Sequence, residues 1–488
     1  MHPTTQHMAH FTRLRSAWGV ACLALLMLLT ACSPEQALKS TLPPDVPDPA
    51  TQKTPAGALA AYRGALVHFR AAFSGFTLAT SELADELQPS RVGGALAGGD
   101  STLLAGQSLD ARRLPEMETN SEGFASYAAL HKVRGQAREA LGALEKYAPD
   151  APSALRGHLY ALEGYAEVFL ADLFCSGIPL STLEFEGDHT YRAGSTTQEV
   201  YQHALALFDS ALTLSADSAR IVHLAQVGRA RALLALGRAT DAAMAVAAVP
   251  DGYSYKVLYS ATTGADGRVN TNFAVDLPYT GAGVLQRGYT VAERKGGNGL
   301  AYISSNDPRV PALFQQNNQA GLPQYLLTKY AVTGDSPIVL ADGVEARLIE
   351  AEAALQKGGT SWLERLNALR TDGTFTTQPN TEDSTKTDTL WHAGTGAVAG
   401  LAPLADPGTA EARIDLLFQE RAFWLFVTGH RQGDMRRLVR EYGRDPETVY
   451  PTGSYPSGGI YGEDVTAAIP AQEGLYNPKF AGCFHRGA

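Results

Sequence analysis

The chain has 488 residues, 45% of them hydrophobic and 18% charged, with a formal net charge of −10. Those are globular proportions and exclude general disorder. The acidic balance, with no basic block, excludes a nucleic-acid partner, because neutralising phosphates takes clustered Lys and Arg.

The chain opens with a basic stretch holding Arg13 and Arg15, an apolar run from Ala17 to Leu29, and Leu29-Thr30-Ala31-Cys32. That order of n-region, h-region and small-residue cleavage site reads as a lipoprotein signal peptide over residues 1–31. The run, about a dozen residues, is too short to span a bilayer. Cys32 is then the lipidated first residue of the mature chain and its membrane anchor. The alternative is an ordinary cleaved signal in which Cys32 is incidental. Ser33 at the next position suits passage to an outer membrane. Residues 32–54, rich in Pro, Asp and Thr, read as a flexible tether, and residues 55–488 as a single domain.

From Pro55 the texture turns Ala- and Leu-rich and helical. Leu155, Leu159, Leu162, Ala166, Phe169 and Leu173 recur three and four apart, so they share one helix face, and Gly177 and Pro179 punctuate its end. Val200, Ala204, Leu207, Ala211 and Leu214 form a second stripe, with Thr196 or Thr197 as N-cap. Residues 224–246 form an Ala- and Gly-rich pair broken at Gly237. Residues 342–370 form another pair, with Gly358-Gly359 between its halves. A third long helix is expected from about Glu411 to Val439. Residues 250–334, rich in Gly, Asn, Thr and Tyr, and residues 371–407, which contain Trp391 and His392, read as long irregular insertions. The expected fold is mostly α, a tetratricopeptide-like stack of helix pairs with two loop-rich insertions.

Of the four cysteines, Cys22 falls in the signal and Cys32 is acylated. Cys175 and Cys483 remain as a disulfide candidate in an exported chain, the alternative being two buried thiols. His430 and Asp434, four apart, share a helix face. They form either an acid/base or metal pair, or part of a buried charge network; a metal site would need a third ligand and an open position, and no such motif is present. The Gly-rich string from Gly281 to Gly288 lacks a nucleotide fingerprint, and Ala265 to Asn272 lacks calcium-loop spacing. No nucleophile elbow or P-loop occurs, so the expectation is no enzyme, no metal and no cofactor.

Four segments, in order, resemble the SusD/RagB family of outer-membrane nutrient-binding lipoproteins. They are Leu155 to Thr182, with its Gly-x-Pro-Leu turn; Asn306 to Phe314, with Asp-Pro-Arg; Gly334 to Arg370, with a Glu-Ala helix and Leu-Asn-x-x-Arg; and Ile414 to Leu438, followed by Ala468 to Pro478. In the fourth, Glu420, Arg421, Gly429, His430, Arg431, Asp434, Arg436 and Arg437 fit the family's most distinctive motif. Trp424 and Thr428 stand where the family usually has acidic residues, which marks a divergent member.

The resemblance implies a non-catalytic, lipid-anchored receptor on the cell-surface side of the outer membrane. It would capture oligosaccharide or a similar nutrient and deliver it to a SusC-like TonB-dependent transporter. Saccharides present apolar C–H faces and hydroxyls, which aromatic platforms with polar neighbours recognise. On that ground the ligand-binding candidates are Tyr253, Tyr255, Tyr279, Tyr289, Trp391 and His392. The rival readings are a non-nutrient envelope scaffold and a lipid-anchored glycan hydrolase.

Overall fold

Several helix starts follow capping chemistry in the computed structural model, which describes residues 53–89, 109–113, 121–183, 185, 187, 189–259, 279–281, 284–286, 289–317, 323–330, 336–371, 375–379, 387–391, 401–456 and 458–488. Of these, residues 121–124, 279–281, 284–286, 315–316, 375–379 and 387–391 are described by their main chain alone. The signal peptide, Cys32 and nearly all of the expected tether lie outside the described residues.

Thr54 caps α1 (Pro55–Leu83), its hydroxyl accepting from Gly57 N–H. α2 (Ser121–Tyr147) and α3 (Ser153–Leu173) follow. Thr196 and Glu199 form a reciprocal capping box at the start of α4 (Thr197–Leu214). α5 (Ala219–Ala235) and α6 (Ala239–Val246) are the pair expected around Gly237. α7 (Gly343–Gln356), capped by Asp342, and α8 (Ser361–Thr371) are the later pair.

Each helix packs on the next, α1 on α2 through to α6 on α7, and α7 on α8. The fold is mostly α, and its helix-pair stacking is tetratricopeptide-like. Gly228 shows why small residues matter here: a Cβ on it would lie 2.4 Å from the Phe208 ring, so α4 and α5 close up only on glycine. The core centres on Phe69, Phe73, Phe76 and Phe169, with Phe76 and Phe169 stacked at 4.1 Å between centroids.

Two expectations are corrected. The long helix from Glu411 to Val439 is two helices, α9 (Ala410–Trp424) and α10 (Arg431–Arg440). The break has a backbone cause: Val427 and Gly429 take φ of 50° and 79°, left-handed conformations that end a right-handed helix. The insertion over 250–334 is also more regular than its composition suggested. After the short strands β1 (Leu87–Pro89), β2 (Ile178–Pro179), β3 (Thr182–Leu183), β4 (His189–Thr190) and β5 (Gly194–Ser195), it carries β6 (Ser254–Val257), β7 (Tyr279–Gly281), β8 (Val284–Gln286), β9 (Tyr289–Val291), β10 (Ala312–Asn317) and β11 (Pro323–Leu327).

The strand pairs among the described residues are all antiparallel, and two of them join strands far apart in sequence. β9 pairs with β1 (Leu87–Pro89), and β6 with β12 (Ile338–Asp342). β10 and β11 form a hairpin in which Phe314 faces Tyr325. In the second insertion β13 (Phe375–Pro379) pairs with β14 (Thr387–Trp391). Cys175 and Cys483 are joined as a disulfide, with Cα atoms 5.8 Å apart. No helix among the described residues is long and apolar enough to cross a membrane.

Candidate functional site

The charged motif of α9 and α10 is a buried lattice. Arg421 donates to both Asp434 oxygens (2.7 and 2.9 Å), and Arg437 donates to Asp434 (2.9 Å) and to Glu352 on α7 (2.8 Å). Glu420 receives Arg309 (2.7 and 3.0 Å) and Arg370 (2.7 Å). Arg431 is bidentate on Asp85, just past the end of α1 (2.7 and 2.9 Å). Arg436 donates to the carbonyls of Ala171, Asp172 and Phe174, so it caps the C-terminus of α3. Burial alone would raise the Asp434 carboxyl; Arg421 and Arg437 beside it hold it well below the usual carboxylate range.

His430 is buried, and burial followed by the charge of Arg231 pushes its pKa down. A neutral imidazole fits its partners: Nε2 accepts from Arg231, and Nδ1 donates to the Thr428 hydroxyl (2.9 Å), which donates on to the Leu425 carbonyl. The Glu345 carboxylate, 3.1 Å from Nε2, is drawn down to about 2, its burial outweighed by Arg231. His430 and Asp434 thus belong to one packed network. Among the described residues no group of His, Cys, Asp and Glu is arranged to hold a metal. Charges paired and dehydrated in this way fix geometry, and they offer a substrate no open face.

The turn between α9 and α10 is stitched to the Tyr-rich insertion. Val427 N–H donates to Glu86 (2.8 Å), Tyr330 O–H donates to the Val427 carbonyl (2.7 Å), and Lys329 Nζ donates to the Phe426 carbonyl (2.6 Å). Burial pushes Glu86 up to about 7 and Lys329 down to about 8. The irregular segment is therefore anchored at its far end on the turn between α9 and α10.

The sequence-derived ligand candidates fall in different places. Tyr255, 6% exposed, packs against the helices: its hydroxyl is 2.7 Å from His158 Nε2, and the Arg220 guanidinium lies 4.3 Å over its ring. Tyr253 is half-buried, donating to the Arg220 carbonyl (2.9 Å) with its ring edge-on to His223. Tyr279 and Trp391 are placed by their strands alone, and His392 lies outside the described residues.

Tyr289, half-buried, opens β9, and the next residue ties that strand to β11. Thr290 Oγ1 accepts from Tyr325 N–H at 2.7 Å and donates to the Tyr325 carbonyl at 3.2 Å. Tyr325 in turn meets Phe314 edge to face, with centroids 5.8 Å apart, and Phe314 is 56% exposed. The strand that Tyr289 opens is thus tied, through Thr290, to an aromatic pair that the sequence reading did not single out, exposed Phe314 and half-buried Tyr325. The signal was present: apolar residues at 312–314 and 325–327 flank an Asn- and Gly-containing stretch, a hairpin pattern.

No protein-family model matches the chain, and no curated protein does. Solved structures match over nearly all of the described body. A SusD superfamily protein from Bacteroides thetaiotaomicron superposes with a TM-score of 0.60 at 15% identity, covering 88% of this chain and 100% of its own. A SusD homolog from the same organism gives 0.60 at 13%, over 90% and 99%. A SusD-like carbohydrate binding protein from Bacteroides vulgatus gives 0.56 at 12%, over 88% and 97%. The helix-pair scaffold with hairpin insertions is thus a known architecture. It is the SusD fold, carried by a sequence that has diverged far from those neighbours.

Proposed function

We propose that the protein is a lipid-anchored receptor of the outer membrane that captures oligosaccharide and hands it to a SusC-like TonB-dependent transporter. The observation that carries this reading is the exposed Phe314 ring, edge-on to half-buried Tyr325, on the β10–β11 hairpin of a SusD fold. An exposed aromatic face stacks against the apolar C–H side of a sugar ring, while neighbouring side-chain amides and backbone groups meet its hydroxyls. Cys32 supplies the acyl anchor, the energy of uptake belongs to the transporter, and the receptor binds without turnover.

The test is calorimetric titration of the mature protein with a panel of oligosaccharides, followed by chromatography of the recovered glycan. The expected result is saturable binding of at least one glycan, recovered at its original length. Shortened product would make the protein a hydrolase. Binding of no glycan, alongside a stable complex with the transporter, would make it a scaffold.

A further inference from the structure

Three side chains from separate elements form a continuous hydrogen-bonded chain. Tyr62 Oη (α1) lies 2.8 Å from His158 Nδ1 (α3), and His158 Nε2 lies 2.7 Å from Tyr255 Oη (β6). Burial holds the His158 pKa down at about 3, so the imidazole is neutral, with one donor and one acceptor. The chain must therefore run in one direction. Arg220, exposed and 4.3 Å over the Tyr255 ring, sets that direction. Its positive charge draws the Tyr255 oxygen toward itself, so the Tyr255 proton points to His158 Nε2. Nδ1–H then donates to Tyr62, and the half-buried Tyr62 hydroxyl is left with its own proton to give outward.

Arg220 is the cation that acts on this hydroxyl. It acts on Tyr253 and Tyr255 as well, and Arg70, two turns along α1 from Tyr62, acts on Tyr255 and Tyr259. Among the described residues neither arginine is ion-paired to a carboxylate. Their neighbours on the same stack are paired, Arg229 with Asp209 (2.7 Å) and Arg238 with Asp241 (2.6 Å). The Arg220 guanidinium, a pre-set O–H donor on Tyr62 and the half-buried Tyr253, bonded to the Arg220 carbonyl, are matched to an anion that also carries an apolar ring face.

We infer that Tyr62 and Arg220 form a second saccharide subsite, specific for carboxylated sugars, with the carboxylate on the Arg220 guanidinium and a ring oxygen or hydroxyl on Tyr62. The inference rests on the saccharide-receptor reading. A planar carboxylate matches the guanidinium fork and gains a charge-assisted bond of about ten- to hundredfold in affinity.

The experiment titrates the mature protein with oligogalacturonate and with the same oligomer fully methyl-esterified, which keeps the sugar and removes the charge. Tighter binding of the acid form, by about tenfold or more, is expected, with the gap shrinking as salt is raised. Arg220→Gln, which keeps most of the apolar stem over Tyr255, should abolish the acid-over-ester ratio. Tyr62→Phe should weaken the acid form by about two- to tenfold and leave the affinity for the ester unchanged. Equal affinity for acid and ester, or an undiminished ratio in Arg220→Gln, overturns the subsite while neutral-glycan binding upholds the receptor. Binding of no saccharide of either kind overturns both. An oligosaccharide sulfate that matches the carboxylate in affinity and in Arg220 dependence also overturns the specificity.

Discussion

At the residue scale, the molecule spends its charged residues inward. Asp434 stands between Arg421 and Arg437, so removing it leaves two buried guanidinium groups facing each other. Asp434→Ala should cost about 3–5 kcal/mol in chemical denaturation; a change under about 0.5 kcal/mol, the size of an ordinary surface substitution, would refute the lattice. Glu86 gives a pH signature of opposite sign. Its folded pKa of about 7 lies above the ordinary 4.5. Between those values the native state holds a proton that the unfolded chain has released. Its contribution is thus fully present below pH 4.5 and is lost as pH rises through about 7. Glu86→Gln stays neutral throughout, so across that window it should lose less stability than the wild type, by up to about 3 kcal/mol. Denaturation midpoints taken across that window check this, and parallel curves for the two proteins would contradict it.

At the element scale, helices were legible because their causes are local. Thr196 with Glu199 spells a capping box, and Leu155 to Leu173 spell one apolar face. Thr196→Ala should cost about 1 kcal/mol of stability, read from thermal melts. The break after Trp424 was not legible, because apolar and charged residues run through it without interruption and only Gly429 hints at a turn. What makes the turn is tertiary: Glu86, Lys329 and Tyr330 take up the backbone groups that a helix would have used. Gly429→Ala meets both a φ of 79° and the Phe76 ring at 2.8 Å, and should cost about 1–3 kcal/mol. The strands were hidden for a related reason. β1 and β9 are two hundred residues apart, and three-residue ladders carry too little alternation to be read from composition. The site suffered most from this, since Tyr255 turns inward to His158 while Phe314 turns outward.

At the scale of the whole molecule, the closing segment is tied back onto the helix stack. Ser176 and Phe484 exchange a backbone bond at 2.7 Å, His485 accepts from Ser176 N–H, and the Cys175–Cys483 bridge closes a loop with a sequence separation of 308. Replacing both cysteines by serine should lower stability by up to about 5 kcal/mol and speed hydrogen exchange at Gly177 and Phe484; unchanged exchange there would mean that the backbone pairing suffices alone. A rigid stack fastened at the motif turn and at the tail presents its hairpin face as a fixed platform. Saccharide capture on that platform is most directly tested by Phe314→Ala/Tyr325→Ala in the mature protein, titrated with the best ligand of the glycan panel. Loss of the aromatic pair should weaken binding by at least tenfold in a variant that still melts cooperatively. Wild-type affinity in a folded double variant would contradict the assignment of this pair as the saccharide platform.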